Sequence, residues 1–293
     1  MNTPLSQSIA YVIKDKRLEL DIAVLNVDSL HLHEETIPDL LVYLTQSIES
    51  DGLVKHPIIV DRESLVVLDG VHRVSALKKL SIKRVPACLI DYENPRIRVC
   101  SWYRTITNLS TPENLLSLIR KAGATTEKIE NVDEDTIGIS PTVAAVKFRY
   151  QTFLVKSPYR NLVEAYNIIG ALEAELRVKG MRVRYETEGD ALEDLRNKRV
   201  GAVLLMPRLS KREVIDAALS GQFFASKATR HVIPARIMNL NVPLTLLRDL
   251  KKPLSRVNEK LSLMLKRRRL KRIPPGSIFD GRRYEEELYV FEE

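Results

Sequence analysis

The first hundred residues switch between strand-like and helix-like spacing of their apolar side chains. Continuous apolar runs of four or five residues indicate buried strands, whereas recurrence every three or four residues indicates a helix. Pro38 fits the start of a helix, and Asp51-Gly52 fits its end. We predict, in order, a strand from about residue 21, a helix over 38–51, a hairpin of strands 57–61 and 65–68, a helix over 72–80, and strands near 85–90 and 97–102. These elements form an α+β unit of about 85 residues, an ordinary domain size.

The rest of the chain changes its pattern several times. Ser210 and Glu213 have the spacing of a capping box, which marks the start of a helix. We predict, in order, a mostly helical stretch over 106–180, a strand at 181–185, a buried strand at 200–206, a helix from 210 to about 219, and a basic tail from 251.

The turn after the hairpin combines residues that suit an anion. It reads Asp69-Gly70-Val71-His72-Arg73 and leads directly into the predicted helix. The backbone N–H groups at a helix N-terminus attract anions, and glycine lets the backbone approach closely. Arginine grips phosphate oxygens with two donors. The sequence therefore predicts a phosphate site in outline at this turn.

A simpler interpretation is that Asp69 merely caps the helix, which is common. Capping accounts for Asp69 and Gly70. It does not account for His72 and Arg73, because the helix dipole disfavours cations in the first turn unless an anion is also present.

These residues resemble the D-G-x-H-R signature of the ParB/sulfiredoxin-like fold, whose members bind nucleotide phosphates at this turn. The preceding segment 51–60, with Pro57-Ile58 and Val60, is similar to the same family's loop and strand. Together the two segments imply a ParB/sulfiredoxin-like nucleotide-binding domain over about 20–105.

Three further segments are similar to the free serine kinases, the archaeal branch of that fold. Lys227 precedes Thr229-Arg230-His231 and an aliphatic-proline pair, as in the family's carboxy-terminal motif. Trp102, the only tryptophan, falls at the family's substrate tryptophan when counted from the turn. His33-Glu34-Glu35 matches the family's H-E element. On local sequence alone, the Lys227–His231 segment fits a solvated basic loop equally well.

The resemblance implies a kinase that transfers a phosphoryl group from ADP or ATP, with Mg²⁺, to the hydroxyl of free L-serine. The product would be O-phospho-L-serine, which would feed cysteine synthesis. Glu34 would be the catalytic base, with Glu35 as the alternative, and Asp69 would be a second catalytic group that binds the metal or orients the turn. The remaining predicted site residues are Gly70, Val71, His72 and Arg73 for the nucleotide, and Trp102, Lys227, Thr229, Arg230 and His231 for serine. The turn would look alike for ADP and ATP, so the donor stays open.

Composition sets wider limits. The chain has 293 residues, a formal net charge of +8 that suits anionic ligands, and two cysteines, Cys88 and Cys100, in strand-like stretches. It shows neither a secretory signal pattern nor a long apolar span, so we expect a cytoplasmic protein with no membrane partner. Only four glutamines accompany abundant Lys, Arg and Glu, which favours a thermophilic source.

Two alternatives come from other functional classes. A ParB-like nucleotide-dependent DNA-binding or partition protein shares the nucleotide fold, but it should carry a helix-turn-helix downstream, and 141–180 shows no convincing one. Sulfiredoxin is disfavoured because it needs a cysteine where Val71 stands. The basic run 266–272 fits ion pairs or a solvated helix face better than a nucleic-acid site. We therefore expect L-serine and adenine nucleotide as partners and regard nucleic acid as unlikely.

The expected architecture is α+β with two domains that form a cleft. The first, over 20–105, would bind nucleotide. A second α/β domain over 106–250 would complete the serine site and bring the Lys227–His231 segment over the substrate. Residues 251–293 would form a basic C-terminal extension whose role the sequence does not indicate.

Overall fold

The computed structural model describes residues 9–292, apart from the side chain of Arg282. The chain divides into two compact units. One combines the described residues up to Arg98 with those from His231 onward, and the other spans Val99–Arg230. The first unit is therefore built from both ends of the described chain.

The N-terminal part of the first unit forms a five-stranded sheet in the order β1-β2-β6-β4-β5. The elements of this part are β1 (Tyr11–Lys14), β2 (Glu19–Asn26), α1 (Pro38–Asp51), β3 (Leu53–Val54), β4 (Ile58–Asp61), β5 (Val67–Asp69), α2 (Val71–Lys79) and β6 (Arg84–Ile90). Strand β7 (Arg98–Cys100) begins at the last residue of this part and continues into the second unit. Strand β6 is buried at every position, because it lies between β2 and β4 in the middle of the sheet. The predicted hairpin, both helices and the central strands are confirmed within a few residues.

The second unit is a six-stranded antiparallel sheet in the order β12-β8-β13-β10-β11-β9, accompanied by four helices. Its elements are β8 (Tyr103–Thr107), α3 (Pro112–Lys121), β9 (Thr125–Ile129), β10 (Thr142–Lys147), β11 (Thr152–Lys156), α4 (Leu162–Val178), β12 (Arg182–Glu186), α5 (Glu188–Arg196), β13 (Ala202–Leu205) and α6 (Lys211–Leu219). The capping box of Ser210 and Glu213 is present at the start of α6, as predicted.

The prediction of a mostly helical stretch over 106–180 is wrong over 125–156. Strands β9, β10 and β11 lie in this region and pair with one another or with β13. Five consecutive positions of β10 are buried, and its short apolar run fits a buried helix segment as well as a buried strand. Throughout 106–230, strands separate consecutive α-helices, which does not match the helix-turn-helix expected of a DNA-partition protein.

The C-terminal part of the chain returns to the first unit. Its elements are β14 (Arg230–Val232), β15 (Ala235–Met238), β16 (Val242–Pro243), α7 (Leu244–Arg248), α8 (Leu254–Lys266), β17 (Arg269–Ile273), β18 (Ile278–Phe279), β19 (Arg282–Arg283) and β20 (Glu287–Glu292). Strand β20 lies between β15, which it pairs in parallel, and β17, which it pairs antiparallel. Helix α8 packs on β2, where Asn258 bonds both the N–H and the carbonyl of Val24.

This division differs from the expected boundaries at 20–105, 106–250 and 251–293. Residues 231–292 belong to the first unit because their strands and helices pair and pack there, and β16 pairs with β3. Glu293 lies outside the described residues. Within the basic run, Arg272 and Lys271 form ion pairs with Glu287 and Glu292, as the interpretation by ion pairs expects.

Among residues 9–292, none of the helices has the length and apolar character needed to cross a bilayer.

Candidate functional site

The turn between β5 and α2 is fixed by Gly70. This residue is the N-cap of α2 and adopts φ +104°. A Cβ atom at this position would lie 2.6 Å from Ile58 Cγ2, closer than van der Waals contact allows. Gly70 therefore allows another group to approach the first N–H groups of α2 closely, because it has no side chain and adopts a positive φ that other residues avoid. Because the cap is Gly70, Asp69 does not have the capping role that the simpler interpretation gave it.

The carboxylate of Asp69 instead accepts hydrogen bonds from two guanidinium groups. Arg73 Nη2 donates to Asp69 Oδ2 at 3.1 Å, and Arg236 Nη1 donates to the same oxygen at 2.7 Å. Arg236, in β15, was not identified from the sequence. No local pattern marks it, because its partner lies in a different strand of the same unit.

Arg73 is also held by the backbone. Its Nη1 donates to the carbonyl of His56 at 3.1 Å and to that of Pro57. The side chain is 18% exposed. The guanidinium therefore braces the start of β4 against α2, and a bound phosphate would share it with these acceptors.

His72 connects the turn to the start of α1. Its Nε2 accepts a hydrogen bond from the backbone N–H of Ile37 at 2.9 Å. A ring nitrogen that accepts carries no proton, so this imidazole is neutral. Its observed contact holds the loop that carries His33 and Glu34.

The H-E segment distinguishes its two glutamates by burial. The Glu34 side chain is 13% exposed, and its Oε1 lies 3.6 Å from Nε2 of His33, which is 1% exposed. Glu35 is exposed. A carboxylate shielded from water and set beside an imidazole has the surroundings of a functional group, whereas Glu35 has those of a surface residue.

His231 is buried beside the same segment. Its Nε2 lies 2.7 Å from the hydroxyl of Tyr92, and its ring meets the His33 ring edge-on with centroids 5.7 Å apart. Burial, together with the charge of His33, lowers the pKa of His231 to about 3, although Glu34 and Asp69 oppose the shift. His231 is therefore neutral near pH 7 and can bind an anion only as a hydrogen-bonding group.

A second cluster lies within the other unit. The ring of Trp102 has Lys227 Nζ at 5.5 Å and Arg230 Cζ at 5.8 Å from its centroid, within the range of cation–π attraction. Lys227 has φ +63°, so the backbone bends sharply where the side chain projects. Thr229 is 8% exposed. The structure thus places Trp102 beside two other residues predicted to bind serine, Lys227 and Arg230.

Arg104 organises this cluster and was also not identified from the sequence. It is fully buried and forms an ion pair with Glu173 of α4 at 2.6 Å. Its Nη1 donates to the carbonyls of Trp102 at 2.6 Å and Lys227 at 3.1 Å. An arginine within the otherwise uncharged strand β8 was the available signal, since buried charges are found paired.

The residues that could hold a metal are few. The described part of the chain contains no group of three or more His, Cys, Asp or Glu side chains arranged to bind an ion. Mg²⁺ is commonly held by one or two carboxylates together with substrate phosphates. Asp69, 40% exposed, fits such a single protein ligand.

Comparisons with known proteins find similarity to L-serine kinases. No protein-family model matches the chain. An ATP-dependent L-serine kinase of Staphylothermus marinus is 29% identical over 233 residues, covering 75% of this chain and 89% of that protein. An ADP-dependent L-serine kinase of Thermococcus kodakarensis is 21% identical over 230 residues, covering 77% of this chain and 93% of that protein. A solved free serine kinase in complex with AMP has a TM-score of 0.67 at 24% identity, covering 81% of this chain and 97% of its own.

The chain therefore has the fold of the free serine kinases, and the resemblance carried by its motifs is confirmed. The α+β fold class is confirmed with it. The roles of the individual side chains stay predictions.

The geometry of Gly70 predicts a specific loss of stability. We expect Gly70→Ala to destabilise the protein more than Gly52→Ala, measured as the free energy of unfolding in urea. Both glycines have positive φ, which costs a side chain about 1–2 kcal/mol. Only Gly70 would also press a Cβ against Ile58, since Gly52 has open space around it. Equal losses in the two variants would contradict this account of the turn.

Arg104 yields a second prediction. Arg104→Met leaves Glu173 buried without its main partner, so we expect a loss of about 3–5 kcal/mol in the free energy of unfolding. The fluorescence emission of Trp102 should also shift, because the backbone carbonyls of Trp102 and Lys227 lose the hydrogen-bond donor that they share. Arg177→Met is the matched control, since Arg177 also contacts Glu173 but is 44% exposed. It should cost less than about 1 kcal/mol and leave the emission unchanged.

Proposed function

We propose that this chain, which shares sequence and fold with the free serine kinases, transfers a phosphoryl group from ADP or ATP to the hydroxyl of free L-serine. The product is O-phospho-L-serine. The observation that carries the proposal is the placement of Glu34. It is a shielded carboxylate beside His33 and His231, in the same unit as the Asp69–Arg73 turn.

The nucleotide phosphates bind at the start of α2. The backbone N–H groups of Gly70, Val71 and His72 supply donors there, and the helix dipole favours the negative charge. Arg73 adds a guanidinium that also braces the turn. His72 contributes by fixing the loop that precedes α1.

Proton removal from the serine hydroxyl is assigned to Glu34. Phosphoryl transfer consists mainly of positioning and charge neutralisation, with a carboxylate to accept the proton of the attacking hydroxyl. Glu34 has the shielded position that such a base requires, and Glu35 does not.

Serine itself carries an ammonium and a carboxylate that must both be recognised. We assign the carboxylate to Thr229 and His231, with Lys227 and Arg230 supplying positive charge. Trp102 is likewise assigned to serine. His231, being neutral, acts there through hydrogen bonding.

Mg²⁺ is proposed to accompany the nucleotide, with Asp69 as its ligand from the protein. When bound, it neutralises part of the phosphate charge.

Direct measurement of the product tests the proposal. We expect purified protein to form phosphoserine from L-serine with ADP, ATP or both, in a reaction that stops when Mg²⁺ is removed with a chelator. Each donor is supplied separately, and serine with nucleotide in the absence of protein is the control. Absence of phosphoserine with both donors would show that the proposed reaction is wrong.

The two glutamates provide the sharpest test of mechanism. We expect Glu34→Gln to lower kcat by at least about a hundredfold, because a general base contributes about 10²–10⁴-fold. The KM for nucleotide should stay nearly constant, since the phosphates bind at the turn. Glu35→Gln, an identical change one residue away at an exposed position, is the matched control and should be mild. If both variants keep full activity, proton removal by a carboxylate in this segment is excluded.

A further inference from the structure

Arg236 joins two carboxylates in the first unit. Its Nη1 donates to Asp69 Oδ2 at 2.7 Å, and its Nε donates to Glu286. The side chains of Arg236 and Glu286 are 17% and 16% exposed, so this pair is largely removed from water. One guanidinium therefore links the turn that begins α2 to a residue just before β20.

Backbone pairing determines where Glu286 lies. Strands β15 and β20 pair in parallel, with Arg236 opposite Leu288. The N–H of Glu287 donates to the carbonyl of Pro234 at 3.1 Å. Glu286 is thus held beside Arg236 by the sheet, independently of the ion pair that the two side chains form.

The charges around the turn cancel. Arg73 and Arg236 are positive, and Asp69 and Glu286 are negative, which gives a formal sum of zero. Without the Glu286 charge, the formal sum over Arg73, Arg236 and Asp69 would be +1. Arg236 would then be drawn to Asp69 alone, and the excess positive charge would oppose a divalent cation at that carboxylate.

We propose that Glu286 is a positioning residue for the nucleotide turn. Through Arg236 it fixes the orientation of the Asp69 carboxylate and keeps its negative charge accessible to the metal–nucleotide complex. The segment after residue 250 is thereby part of the nucleotide-binding unit. This inference rests on the proposed function for the identity of the ligand, but its first test is binding alone.

Calorimetric titration of ADP, in the presence and absence of Mg²⁺, provides that test. We expect Glu286→Gln to weaken binding of ADP with Mg²⁺ by about tenfold, the scale seen when a partner of a metal-binding residue is removed. Binding of ADP without Mg²⁺ should not weaken, because the variant removes a negative charge near the phosphates. A residue with a merely structural role would lower both affinities or neither.

Glu285→Gln is the matched control. It makes the same chemical change one residue earlier, at an exposed side chain. Its ADP affinities should equal those of the unaltered protein. Arg236→Lys should reproduce the effect of Glu286→Gln, because an ammonium lacks the planar fork that joins two carboxylates.

A double-mutant cycle tests the route through Asp69. In an Asp69→Asn background, Glu286→Gln should change the affinity for ADP with Mg²⁺ by less than twofold. A full tenfold effect in that background would overturn the inference, as would equal affinities of Glu286→Gln and Glu285→Gln.

The two proposals fail in different ways. If the protein binds ADP as described but forms no phosphoserine, the proposed reaction is wrong and the positioning role stands. If it forms phosphoserine while Glu286→Gln leaves the Mg²⁺-dependent affinity and the KM for nucleotide unchanged, the positioning role is wrong and the reaction stands.

Discussion

The candidate nucleotide turn depends on the hydrogen bonds that the carboxylate of Asp69 accepts. Two guanidinium groups converge on one of its oxygens, from Arg73 within α2 and from Arg236 in β15. Each guanidinium is fixed in turn by other acceptors, the carbonyls of His56 and Pro57 for Arg73 and the carboxylate of Glu286 for Arg236. Loss of Asp69 would remove the carboxylate that these two cations share next to a helix N-terminus, where the dipole opposes positive charge.

This arrangement changes the argument from the sequence. The presence of His72 and Arg73 in a first helical turn indicated an external anion, because the helix dipole disfavours cations at that position. In the structure Asp69 supplies that partner for Arg73, and His72 is a neutral hydrogen-bond acceptor. Unfavourable charge alone therefore does not require a phosphate. The support for a phosphate comes from Gly70 and from the N–H groups at the start of α2 that follow it.

Sequence patterns correctly predicted the elements that are determined by residues close together in the chain. The hairpin, α1, α2 and the capping box of α6 follow from apolar spacing, from Pro38 and from Ser210 with Glu213. Strand β10 was not predicted because its short apolar run, residues 143–146, fits a buried helix segment as well as a buried strand. The unit boundaries were not predicted, because the parallel pairing of β15 with β20 joins segments far apart in the sequence and no local signal encodes it.

The site shows the same limit. Glu34, Trp102 and the Lys227 segment were predicted as site residues through the family resemblance that their motifs carry. Arg104 and Arg236 were not, since each is defined by a partner reached only through the fold. Both contact residues that the sequence did predict. Arg104 binds the backbone carbonyls of Trp102 and Lys227, and Arg236 binds the carboxylate of Asp69.

Burial bears on which group would accept the serine proton in the proposed reaction. It lowers the pKa of His231 to about 3, so this imidazole is unprotonated near pH 7 and binds a proton poorly. In the proposed reaction the proton is therefore assigned to Glu34, whose carboxylate lies in the same cluster and acts against the lowered pKa of His231. The neutral imidazole of His231 would then orient a substrate oxygen.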